Sequence, residues 1–185
     1  MTIQKSTSDK LIEAAAKEFN ERGFGGTDTN RIARRAGFAP QTFYRWFRDK
    51  VEIFIKTYEF WQREEFGAIS ALLAQNASDA RLAQSIIEHH RAYLIFRRSL
   101  RELSVENDSV RAARAQSRLN QIEYIKKMGP KPRRDAASCA VILFQTERLA
   151  DAVAEGELSD MGLDEKAAER ALARLIHDLR SPDRT

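Results

Sequence analysis

The chain has 185 residues, 43% of them apolar and 31% charged, with a formal net charge of +4. That is enough apolar material for one compact unit, or for a small domain on a larger one, and a charge balance this mild permits anionic partners without demanding them. A single cysteine, Cys139, excludes a disulfide framework or a thiolate metal site within one chain, and no apolar run approaches the ~20 residues that cross a bilayer.

The N-terminus also lacks the apolar core of a signal peptide, so a cytoplasmic protein with no membrane partner is expected. Charge is unevenly spread: residues 1–50 carry ten Lys/Arg against six Asp/Glu, residues 51–135 fifteen against eleven, and residues 136–185 six against ten. Nucleic acid is therefore expected away from the acidic C-terminal end.

Residues 1–7 are polar and expected to fray. Ser8 is placed to cap a helix with Leu11, Ile12, Ala15 and Phe19 as its apolar stripe, and Gly23 with Phe24 supplies the stop. Thr27 or Asp28 offers a cap to the next helix, and the sequence does not choose between them. Arg31 to Ala36 carries Ile32, Ala33 and Ala36 at helical spacing, Gly37 can take the positive φ that ends a helix, and Pro40 can open another. This is helix-turn-helix grammar. The second helix, expected over Pro40 to Arg48, sets Phe43 and Phe47 on one side and Gln41, Arg45 and Arg48 on the other. An aromatic back and a basic front suit a major groove. Arg45 can fork onto guanine and Gln41 can pair with adenine. Thr42, Tyr44 and Lys50 can reach phosphates. Thr27 and Thr29 either touch the DNA backbone or serve only as caps, and Arg45 and Arg48 are each either a groove contact or a solvated charge.

From Leu11 to about Phe54 the order of residues resembles the DNA-binding domain of the TetR family of bacterial transcriptional regulators. LIEAAAKEFNERGF is similar to that family's first helix, TDTNRIARRAGF to its second helix and turn, and TFYRWFRDK to its recognition helix and the start of its fourth. Ala39, Gln41 and Arg48 depart from the residues the family often has there, which bears on cap strength and sequence preference. The resemblance implies an all-α chain with an N-terminal three-helix helix-turn-helix domain, residues 1–50, and a C-terminal helical ligand-binding and dimerisation domain, residues 51–185.

After Lys50 the apolar period runs through Ile53, Phe54, Tyr58, Trp61, Ile69, Leu72 and Leu73, predicting one long helix that Gly67 weakens, and Asn76 to Asp79 reads as a turn. The next helix is expected unbroken from about Ala80 to Ser104, with Leu82, Ile86, His89, Tyr93, Phe96, Leu100 and Leu103 on one stripe and with His90 and Arg97 near its edge. His89 and Tyr93 on a buried face need partners, from neighbouring side chains or from a ligand. His89 and His90 are adjacent and diverge, so a metal site is not expected. A helix over about Val110 to Met128 has Leu119, Ile122 and Ile125 as its apolar positions, and GPKPRRD, Gly129 to Asp135, reads as a basic solvated turn. The helix from about Ala136 to Glu155 is apolar nearly all round, with Val141 and Phe144 on one face, and must bury more than one side. The last helix, about Asp164 to Leu179, has Ala168, Leu172, Leu175 and Leu179 as its stripe. By resemblance, these two helices form the dimer interface.

The expected protein is a homodimeric repressor, holding a palindromic double-stranded operator and released by a small-molecule effector. Trp61, His89, Tyr93, Arg97, Tyr124 and Phe144 are the candidate ligand residues, and Arg97 favours an anionic or polar ligand if it points inward. The alternative is a helical DNA-binding regulator controlled by a protein partner. No catalytic residues, metal or cofactor are expected: the sequence has no paired carboxylates, nucleophile elbow or Gly-rich phosphate loop.

Overall fold

A computed structural model of the chain describes residues 5–128 and 135–181, and among these it is all helix and loop, with no strand. The helices are α1 (Thr7–Arg22), α2 (Thr29–Arg35), α3 (Pro40–Phe43), α4 (Lys50–Ala74), α5 (Asp79–Ala92), α6 (Leu94–Glu106), α7 (Asp108–Met128), α8 (Ala136–Glu155), α9 (Glu157–Asp160) and α10 (Lys166–Arg180). No helix among the described residues is long and apolar enough to cross a membrane. They form two compact units, one made of residues up to Glu64 with Ile95–Ala113, the other of Glu65–Leu94 with the chain from Arg114 onward. The boundary expected at residue 50 falls on the first residue of α4.

In the first unit, α1 buries Leu11, Ala14, Ala15 and Phe19. Its cap is Ser6 and not Ser8: the Ser6 hydroxyl accepts from the Asp9 amide while the Asp9 carboxylate accepts from the Ser6 amide. That reciprocal pair needs an acidic residue three positions on, which Ser6 has and Ser8 lacks. Of the N-terminal residues expected to fray, 1–4 lie outside the described residues. Gly23, at φ +70, stops α1, and its missing Cβ leaves room for Ser99, whose hydroxyl accepts the Phe24 amide at 2.9 Å. An aromatic cluster fills the space between α1, α4 and α6: Phe54 has ring centroids 5.0 Å from Phe19, 5.4 Å from Phe24 and 4.8 Å from Phe96.

In the second unit, α5, α8 and α10 share one core of Leu82, Ala83, Ile87, Ala150, Val153, Ala168, Leu172 and Ile176. Ile122, Cys139 and Leu143 form a smaller cluster, where the cysteine is a buried small hydrophobe. The single helix expected from Ala80 to Ser104 is two helices. Tyr93, at φ −120 and ψ 29, leaves helical geometry, and α6 restarts at Leu94. With the helix interrupted, one stripe no longer governs both halves. The inward edge of α5 passes through Ala83, Ile87 and His90, so His90 is buried at 2% exposure, while His89 and Tyr93 are partly exposed. Arg97, expected at an edge, is buried too.

The helix ends carry smaller departures. The α7 helix starts at Asp108, and Leu119 faces outward. The bounds of α8 agree with the expected ones; Asp135 caps it through the Ser138 amide at 2.8 Å, whereas residues 129–134 of the expected basic turn lie outside the described residues. The α9 turn was not foreseen, and α10 begins at Lys166, where the Asp164 carboxylate accepts the Lys166 amide at 3.0 Å.

Candidate nucleic-acid interface

The turn between α1 and α2 is held from two sides. Asp28, the second of the two possible caps, accepts the Arg31 amide at 2.8 Å. Thr27 turns inward: at 5% exposure its hydroxyl donates to Glu18 at 2.9 Å, so it is occupied within the domain, where the sequence set it against the DNA backbone or as a cap. The Glu18 carboxylate is itself buried, lying 2.7 Å from Arg35 Nε and 3.4 Å from Arg22 Nε, which supplies the counter-charge a buried carboxylate requires.

Lys50 closes the same turn. Its ammonium donates to the carbonyls of Phe24 at 2.8 Å and Thr27 at 3.0 Å and lies 4.1 Å from the Phe24 ring centroid. Burial pulls this ammonium below the usual lysine range, against the opposing charge of Asp28. Two of its three N–H donors are taken by carbonyls, and one remains for an outside acceptor.

The helix-turn-helix reads out as α2, Gly37 at φ +81, and α3. α3 opens at Pro40 with no side-chain cap, since Ala39 has no oxygen to offer. Its α-helical part ends at Phe43, short of the expected Arg48, and continues as a tightened coil: the Arg45 amide donates to the Thr42 carbonyl at 3.3 Å, and the amides of Trp46 and Phe47 both donate to Phe43 at 2.9 and 3.0 Å. Phe43 and Phe47 are buried beneath this coil, with ring centroids 5.7 Å apart. Gln41, Tyr44, Arg45 and Arg48 are exposed, and Thr42 is half-buried beside them. The Tyr44 and Thr29 hydroxyls lie 2.9 Å apart. Arg48 Nε is 3.0 Å from Asp49, whose hydrogen bond raises the guanidinium pKa further. Asp49 also accepts the Glu52 amide at 2.8 Å, which holds its carboxyl below the usual range. Trp46, half exposed in the middle of this surface, was missed by sequence reasoning; its signal was a large apolar residue at a position the buried Phe43 and Phe47 leave outside.

The six candidate ligand residues have separate surroundings. In the first unit, the buried Trp61 stacks on Tyr58, centroids 5.8 Å apart, and the buried Arg97 guanidinium lies 4.9 Å from its ring centroid. In the second, His89 and Tyr93 pair at 5.0 Å; Tyr124 contacts the Phe66 ring at 4.1 Å and the Ser70 hydroxyl at 3.1 Å; Phe144, 47% exposed on α8, carries the Arg118 guanidinium on its face at 4.8 Å. His90 is a buried polar group that the sequence placed only at an edge: its Nδ1 is 3.0 Å from Asp151 and its Nε2 3.6 Å from Glu65. No group of His, Cys, Asp and Glu among the described residues has the arrangement of a metal site.

One set has the order of a nucleophilic triad: Ser181 Oγ is 3.0 Å from His177 Nε2, and His177 Nδ1 is 3.0 Å from Asp79. His177 is 59% exposed and Arg180 holds the other Asp79 oxygen, so these groups, open to water, clasp the end of α10 to the start of α5.

The comparisons with known proteins agree with this geometry. Residues 11–57 match the family described as bacterial regulatory proteins, tetR family. A 45-residue stretch is 42% identical to the uncharacterized HTH-type transcriptional regulator YdgC of Bacillus subtilis (strain 168), covering 24% of this chain and 23% of that relative. Among solved structures, a putative TetR-family transcriptional regulator from Rhodococcus sp. has the same fold, with a TM-score of 0.71 and 17% identity over 95% of this chain and 98% of that one. A putative transcriptional regulator from Saccharomonospora viridis, solved in complex with choline, superposes with a TM-score of 0.67 and 17% identity over 94% and 97% of the two chains.

Proposed function

We propose that this chain, whose residues 11–57 match the family of bacterial regulatory proteins, tetR family, is a cytoplasmic homodimeric repressor of that family that grips a palindromic operator and is released by a small molecule. The observation that carries the DNA-binding part is the recognition coil: Gln41, Tyr44, Arg45 and Arg48 stand outward on a floor sealed by Phe43 and Phe47. Arg45 and Gln41 read base edges. Thr29, Thr42, Tyr44, Arg48 and the remaining Lys50 donor hold phosphates, and Thr27 fixes the turn that presents them.

A twofold dimer sets two such coils roughly 34–36 Å apart, one helical turn of DNA. Val141 and Phe144, exposed on α8, support an interface there, and Phe144 joins that face in this reading. The effector acts by binding two arrangements of the chain with different affinity; a coupling of about 1–3 kcal/mol changes operator affinity ~5- to 150-fold. His89, Tyr93 and Tyr124, all in the second unit, are the proposed effector residues. The choline-bound relative supports a small effector over a protein partner. Enrichment of duplexes from a random pool tests the proposal. An inverted-repeat sequence bound by two chains is the expected product for the wild type, and enrichment of no sequence by the wild type would overturn it.

A further inference from the structure

Trp46 is 50% exposed, and its neighbours on the recognition coil leave it little choice. The inward positions are filled by Phe43 and Phe47, both nearly inaccessible, and the amides of Trp46 and Phe47 are fastened to the one Phe43 carbonyl. The indole is thereby held outside by the backbone. Large apolar side chains are usually covered when a partner exists, and an indole half in water leaves apolar surface to be gained on binding. The other exposed side chains of the same coil are Gln41, Tyr44, Arg45 and Arg48, the last paired with Asp49, so whatever covers Trp46 must offer an acceptor to the Arg45 guanidinium. In a major groove, the apolar feature flanked by phosphates and by acceptors for arginine is the C5-methyl group of thymine.

We propose that Trp46 is a specificity-determining residue that packs its indole on thymine methyl groups in the major groove, beside the bases read by Arg45 and Gln41. This rests on the DNA-binding reading above and adds a contact class to it: an apolar recognition of thymine that needs no hydrogen bond. Arg45 and Gln41 report donors and acceptors, whereas Trp46 reports the methyl group that separates thymine from uracil and cytosine.

The full-length protein and the duplex it enriches from a random pool supply the test. Each thymine is replaced in turn by deoxyuridine, which removes one methyl group and leaves base pairing intact. In wild type, replacement at one or two positions per half-site should weaken binding about fourfold each, the worth of one buried methyl; in Trp46→Ala the same replacements should change nothing. A uniformly silent scan in wild type, or an equal loss in Trp46→Ala, overturns the proposal while leaving the DNA-binding reading standing. If no duplex is enriched at all, the DNA-binding reading falls and the proposal with it. A second measurement is independent of base identity. Trp61 is 1% exposed, so acrylamide-quenchable tryptophan emission comes from Trp46, and saturating duplex should suppress that quenching. Unchanged quenching in the complex overturns the contact.

Discussion

The hydroxyls of Thr29 and Tyr44 lie 2.9 Å apart, joining the first residue of α2 to the coil that follows α3. Both side chains sit on the surface proposed to meet DNA, and under that proposal each orients the other for a phosphate. Because the pair is exposed, Tyr44→Phe should hardly change stability, whereas it should lower operator affinity by about 1 kcal/mol, roughly fivefold. Thermal melting alongside fluorescence anisotropy checks this; a fall in melting temperature that accounts for the lost binding would mean that the pair is structural.

Arg45 and Gln41 should behave differently from their neighbours. Each alanine substitution is expected to cost about 1–3 kcal/mol at the preferred duplex and to relax preference at one base pair per half-site. Competition with single-base-pair variants separates the cases, because a residue that holds only phosphate weakens all sequences alike.

Salt should oppose binding steeply. A dimer that neutralises about six phosphates gives a slope of log K against log salt near −5, and Arg48→Ala on both subunits should make it shallower by about 2. A slope near zero in a titration of wild type would contradict the groove contacts.

Asp49 sets an acid limb on stability. Its carboxyl is depressed in the folded chain chiefly by the Glu52 amide, so it binds fewer protons folded than unfolded. The stabilisation is therefore present above the ordinary carboxylate value of 3.8 and is lost as pH falls through the lower folded value. Asp49→Asn keeps a side-chain oxygen for the amide but cannot titrate. Its melting temperature, followed from pH 6 to pH 2, should fall less steeply than that of wild type; superimposable profiles would count against the assignment.

Much of the candidate surface was legible because its geometry is local. Phe43 and Phe47 lie one helical turn apart, so their shared inward face and the outward face of Gln41 and Arg45 follow from chain order alone. The glycine at position 37 and the bare Ala39 cap are likewise local facts, confirmed at φ +81 and by the missing side-chain hydrogen bond. The interruption at Tyr93 was not legible, since a regular four-and-three stripe continues across it and no Gly or Pro marks it. Nor was the inward turn of Thr27: a threonine before a helix is an ordinary cap candidate, and only Glu18, brought beside it by the packing of α1, draws its hydroxyl away.

By itself, then, the order of residues determined the helical periods, the two-helix turn, the aromatic floor and the basic front of the recognition coil, all set by contacts within a few residues. Tertiary structure decided which polar groups are used up inside. Lys50 meets the Phe24 and Thr27 carbonyls, His90 faces Asp151 and Glu65, and Trp46 is left outside because Phe43 and Phe47 fill the space beneath. The physical reason is that a buried charge or hydroxyl must find a partner wherever the fold supplies one, and that partner is set by packing in space and not by distance along the chain.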